Sequence, residues 1–115
     1  MYDIPVDLDL GMLQGLKDLL GEKFVELVKT YNSDSMRRIE LMRDALQVSD
    51  FDTIKHEAHG LKGSSRNVGA NSLAALCGDM EIKGKEQDTA NMEQLFSAIE
   101  QQFAAISAQL RKLIA

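Results

Sequence analysis

Tryptophan is absent from this chain, and only 5% of its 115 residues are aromatic. The core must therefore be filled by Leu, Ile, Val, Ala and Met. That is the filling of a helical bundle, whereas a sheet draws on β-branched and aromatic residues. The only proline is Pro5, so nothing after it forbids helix. The only cysteine, Cys77, cannot close an internal disulfide, which makes a reducing compartment the simplest setting. No apolar run approaches the ~20 residues that a membrane helix needs. The opening stretch, Met-Tyr-Asp-Ile-Pro-Val-Asp, has neither a basic start nor an apolar core, so no signal peptide is expected and a cytoplasmic location is. A net charge of −5 leaves little of the cationic face that nucleic acid or an anionic membrane would demand, and neither is expected as a partner.

What the chain does contain is helical periodicity. A short first helix is expected from about Asp9 to Leu20, with Leu10, Leu13, Leu16 and Leu20 at helical spacing and Gly21 bending the chain out of it. A second runs from about Glu22 to Gln47, turning Phe24, Val28, Tyr31, Ile39, Met42 and Leu46 inward. Ser49 and Asp50 offer a cap to a third, whose buried stripe is Phe51, Ile54, Ala58, Leu61, Ser65 and Val68. Gly69 stands where a left-handed residue would end it. Asn71 can cap a fourth helix that buries Leu73, Leu76, Cys77 and Met80 and runs out at Gly84. Asp88 and Thr89 can cap a fifth, whose seam of Met92, Phe96, Ile99, Phe103, Ile106, Leu110 and Leu113 keeps a 4-3-4-3 spacing. Short connections make neighbouring helices antiparallel. The expected fold is all-α: an antiparallel up-down-up-down four-helix bundle with a short N-terminal capping helix. It forms one domain over residues 1–115, with its core at about 7–113.

One constellation carries chemistry. On the third helix Lys55, His59, Lys62 and Arg66 fall at i−4, i, i+3 and i+7, which is one row on one face. The row lies away from the buried stripe, so His59 should be exposed midway along the helix. Gly63 shares that face, although a helical glycine costs about 1 kcal/mol against alanine. Close approach of another protein's backbone to the imidazole would explain it. Imidazole nitrogen is a competent nucleophile near neutral pH, and nearby cations stabilise a phosphoryl dianion. His56 and His59 stand at i, i+3, whereas a helical zinc motif needs i, i+4, so no metal site is expected. The chain has neither a glycine-rich nucleotide loop nor an Asp-rich magnesium site, which argues against a kinase or phosphatase. A helical adaptor that works by binding alone stays open on these grounds.

The stretch Ala58-His59-Gly60-Leu61-Lys62-Gly63-Ser64-Ser65-Arg66-Asn67-Val68-Gly69-Ala70 resembles the signature of the histidine-containing phosphotransfer (HPt) domain, A-H-x-L-K-G-S-S-x-x-x-G-A. Leu73, Leu76-Cys77 and Glu81 fall where that family has L-x-x-L-C-x-x-x-E, and the likeness covers about Asp7 to Leu113. The resemblance implies a phosphoryl carrier without enzymatic activity of its own. His59 would be its phosphoacceptor, relaying phosphate between receiver-domain aspartates of sensor kinases and response regulators. Lys62 would stabilise the phosphate, and Glu81 would hold the non-reacting ring nitrogen. The partner surface would join Gly63, Lys55 and Arg66 to Met12 and Leu13 of the first helix. A monomer is expected, with no cofactor beyond magnesium supplied by the receiver. Two departures stand out: Lys83 and Lys85 occur where relatives often carry Arg, and Gly60, directly after His59, would soften the helix.

Overall fold

The computed structural model describes residues 2–115 and contains five helices. These are α1 (Leu10–Leu20), α2 (Lys23–Gln47), α3 (Phe51–Asn67), α4 (Asn71–Glu86) and α5 (Met92–Leu113). Helices α2 to α5 form the antiparallel bundle, 42 × 24 × 18 Å overall, and α1 packs across one end against α2. Among the described residues there is no strand, only an isolated bridge between Leu8 and Ala70. No described helix is long and apolar enough to cross a membrane.

The helix starts follow from side-chain capping at two places. Asp9 accepts the Met12 N–H at 2.9 Å, and Asp50 accepts the Thr53 N–H at 3.2 Å and its hydroxyl at 2.6 Å. Gly69, at φ 73°, ends α3, and its carbonyl accepts the Asp9 N–H at 2.9 Å. The inward residues expected of α3, α4 and α5 are buried, with Phe51 and Leu113 only partly so. Tyr31 spans the core from α2, its hydroxyl 2.8 Å from Ser65 Oγ and its ring tilted against Phe103. Burial raises its phenol to about 12, against the opposing hydrogen bond with Ser65. Leu46 is only half-buried, and Leu10 is exposed, because α1 has the bundle on one side alone.

Three boundaries differ from expectation. Gly84 does not end α4; it lies buried inside it, where a Cβ would come within 3.0 Å of the Lys55 backbone nitrogen, so close packing on α3 accounts for the glycine. Gln87, at φ 55°, takes the terminating left-handed position instead. Asp88 and Thr89 do not cap α5, which begins at Met92 after Asn91. Asp88 folds back to accept the Ala90 N–H at 3.0 Å. Asn71 is the first residue of α4 rather than its cap, and its N–H donates to the Asp7 carbonyl at 2.9 Å. That bond belongs to an N-terminal strap. The Asp7 N–H donates to Ser72 Oγ, Ser72 donates to Gln102 Oε1, and Gln102 Nε2 donates to the Ile4 carbonyl, at 2.8, 2.7 and 2.6 Å. The strap fixes where α1 enters and leaves Ser72 and Gln102 satisfied in the interior.

Candidate functional site

His59 stands at the middle of α3 with its side chain 68% exposed. The antiparallel run of α4 brings Glu81 opposite it, and the His59 Nδ1–Glu81 Oε2 distance is 2.9 Å. Lys62, one turn along α3, donates from Nζ to the other carboxylate oxygen, Oε1, at 2.6 Å. One carboxylate thus bridges the imidazole and an ammonium. Lys62 chiefly, with His59 after burial's opposing push, holds the Glu81 carboxyl below its ordinary range, so it is ionised at neutral pH. An ionised carboxylate only accepts, so the shared proton sits on Nδ1, and Nε2 is left with no hydrogen bond among the described residues.

The surroundings of this trio are cationic on one side and apolar on the other. Lys55, Lys62, Arg66 and Lys85, with the acidic Asp79 and Glu81, line a groove of about 540 Å³ between α3 and α4, and Lys55 and Arg66 form no ion pair among the described residues. On the α2 side, Leu27, Thr30, Tyr31, Asp34, Ser64, Asn67 and Val68 line a second, mostly apolar groove of about 220 Å³. Gly63 lies exposed on this helix, and a Cβ there would meet nothing within 4 Å. The fold itself makes no demand for glycine at that position.

One candidate departs from expectation, and others find their places. Leu13, expected on the partner surface, is 1% exposed and belongs to the core, because it is the one α1 residue turned squarely onto the bundle; Met12 beside it is exposed. Lys83 donates to the Ala90 carbonyl at 2.7 Å and pairs with Asp88, so it staples the α4–α5 loop, while Lys85 faces the groove. His56 is exposed and outside the trio. Cys77 is fully buried, and burial pushes its thiol up to about 12, which makes it a core residue with no thiolate character.

A half-buried ion cluster was not expected from sequence. Arg38 of α2 donates to Asp34 and, across α3, to Glu57, each at 2.9 Å, and Glu57 is buried. The guanidinium crosses α3 at Gly60, where any Cβ would overlap it. Gly60 is therefore the crossing point of a clamp one residue from His59. The signal available in sequence was Glu57 itself, a charge falling inside the apolar stripe of α3.

With this geometry in view, comparison with known proteins is specific. The structure superposes on histidine-containing phosphotransfer protein B (HptB) of Pseudomonas aeruginosa PAO1 with a TM-score of 0.87, 28% identity and 92% of each chain covered. It superposes on the histidine-containing phosphotransfer protein ZmHP2 of maize with a TM-score of 0.80 at 22% identity, covering 90% of this chain and 84% of that one, a likeness of fold. No curated protein sequence matches. Residues 26–109 match the Hpt domain, and the chain therefore belongs to the Hpt-domain family, the histidine phosphotransfer proteins of phosphorelay signalling.

Proposed function

We propose that His59 is the phosphoacceptor and that the protein passes a phosphoryl group between aspartates of receiver domains. The observation that carries this is the 2.9 Å pairing of an exposed imidazole with an ionised carboxylate through Nδ1, which commits Nε2 to solvent as the nucleophile. In the forward step the Nε2 lone pair attacks the phosphorus of an aspartyl phosphate. An N–P bond forms, the P–O bond to the aspartate breaks, and the carboxylate leaves as its anion, so no proton need move. The ring then carries positive charge, which Glu81 offsets through the retained Nδ1–H. Return of the phosphoryl group to another aspartate reverses the same steps.

The chain serves as a carrier with no kinase activity of its own and takes its phosphate from a partner. Magnesium comes with the receiver's acidic pocket. The receiver rests on the exposed Gly63 face, with Lys55 and Arg66 on one flank and the apolar α2–α3 groove and Met12 on the other. A monomer in the cytoplasm suits this role. Mixed with ATP alone, the protein should stay unlabelled; mixed with a phosphorylated receiver domain, it should gain an acid-labile label. His59→Gln should abolish that label and His56→Gln should keep most of it. An acid-stable label, or one that survives His59→Gln, would move the chemistry to Ser64 or Ser65.

A further inference from the structure

The flank of the bundle opposite the His59–Glu81 pair is acidic and incompletely closed. Helices α2 to α5 meet in a ring, α3 joining α4 and α5 returning to α2, so the α2–α5 seam lies across the bundle from the α3–α4 groove. Along that seam the two helices leave hollows of about 210 and 290 Å³. Ile39, Phe103 and the exposed Met36 line the first, and Leu46 and Phe96 line the second. Arg43 separates them. Its guanidinium lies over the Phe96 ring, 5.8 Å from the centroid, and pairs with Glu100. Glu40 and Glu93 stand on the rims with no ion pair among the described residues, so three carboxylates face one cation.

We propose that this seam docks a cationic amphipathic helix of a partner protein. Phe96 and Phe103 are seven residues apart on α5, which is about 10.5 Å at 1.5 Å per residue. A helix laid along the seam reaches both hollows with apolar side chains at i and i+7, the pattern of helix-in-groove recognition. Glu93 and Glu100 repeat the same interval on one rim, so Lys or Arg at i and i+7 on the incoming helix's flank meet carboxylates in the same register. Arg43 shows the chemistry that the seam accepts, a cation on an aromatic face with a carboxylate beside it. It also competes with an incoming cation. The acidic excess selects against an acidic helix. A partner held here leaves His59 uncovered, so the seam can tether the protein while the opposite face exchanges phosphate.

The probe is an amidated, Ala-based peptide of about sixteen residues with Leu at i and i+7 and Lys along one flank, and its control carries Glu in place of Lys. Each is titrated at low salt into the isotope-labelled full chain and followed by amide chemical shifts. The Lys peptide should shift α2 and α5 amides along the seam with a Kd of about 10–100 μM, and the Glu peptide should shift none. Glu93→Gln with Glu100→Gln should weaken binding at least about fivefold and Met36→Lys about tenfold, whereas Arg43→Gln should tighten it a few-fold. His59→Gln should bind the peptide as wild type does, so the docking test stands apart from the acceptor assignment. Shifts centred on the α3–α4 face, equal binding of the two peptides, or a Met36→Lys titration matching wild type would each overturn the proposal. Self-association that Met36→Lys abolishes in sedimentation would place a second copy in the seam and overturn it as well. Should Met36→Lys melt well below wild type, Met36→Ser takes its place with the same outcomes.

Discussion

A methyl group added at Gly63 would touch nothing within 4 Å, whereas one added at Gly84 would press on the Lys55 backbone at 3.0 Å. The two residues look alike in sequence, each a glycine within a helix, but different demands keep them. Gly84 answers to packing: α4 cannot slide off α3 without uncovering Ile54 and Met80, so Gly84→Ala should cost about 1–3 kcal/mol, read from the urea midpoint. Gly63 answers to whatever comes from outside. Gly63→Gln should leave the melting temperature level or slightly raised, since glycine forfeits up to about 1 kcal/mol of helix propensity. Transfer from a receiver domain should fall at least about tenfold, because the near-attack distance tolerates little displacement. Equal transfer rates in the two proteins would show Gly63 to be incidental. Glu81 supplies the complementary residue-scale test. Glu81→Ala removes both the Nδ1 acceptor and the anchor of Lys62, so it should slow transfer more than Glu81→Gln, whose amide oxygen still accepts the ring proton.

At the scale of whole helices, the clamp across α3 makes a sharper claim than any single site. Arg38 passes over Gly60 to reach the buried Glu57, so glycine and arginine are matched. In the wild type, Gly60→Ala should destabilise, since the methyl displaces the guanidinium and strands Glu57. In an Arg38→Met background the same substitution should stabilise by several tenths to about 1 kcal/mol, because only helix propensity then remains. Chemical denaturation of the four proteins reads this sign change, and a Gly60→Ala effect of one sign in both backgrounds would dismiss the clamp. This device also marks the limit of what sequence discloses. The stripes of α3, α4 and α5 were legible because burial imposes a 3.6-residue period on them, and the His59 row because exposure imposes the opposite phase. The ends of α4 and the start of α5 were not, because tertiary contacts decide them: the Lys55 backbone at Gly84, the Lys83 staple at Asp88, the strap at Asn71. Leu13 and Met12 are neighbours in sequence and equally apolar, so only the docking of α1 could separate the core residue from the surface one.

For the molecule as a whole, the placement of charge predicts how stability responds to acid. Asp34 and Glu81 are two half-buried carboxylates whose ion pairs hold them below their ordinary range. Burial pushes the Asp34 carboxyl up, but the Arg37 and Arg38 hydrogen bonds outweigh it and hold it below the usual range, as Lys62 holds Glu81. Asp50 and Asp88 are held low as well, by Thr53 and by the Ala90 N–H, though both are open to solvent and contribute little. A carboxyl whose folded value lies below its unfolded one releases its proton more readily in the native state. Its contribution is complete above the ordinary carboxylate range, about pH 4, and drains away as pH falls through the folded values. Protonation also leaves thirteen Lys and Arg unopposed, which adds repulsion in the compact state. The urea midpoint should therefore be flat from neutral pH to about pH 5 and fall steeply towards pH 3, at an unchanged m-value. Glu81→Gln carries no titrating group at this position, so its midpoint should lie below wild type at pH 7 and approach it at pH 3. A gap that persisted undiminished at pH 3 would mean that the Lys62–Glu81 pair is not a source of the acid sensitivity, and the loss would then belong to Asp34 and the Arg38 clamp.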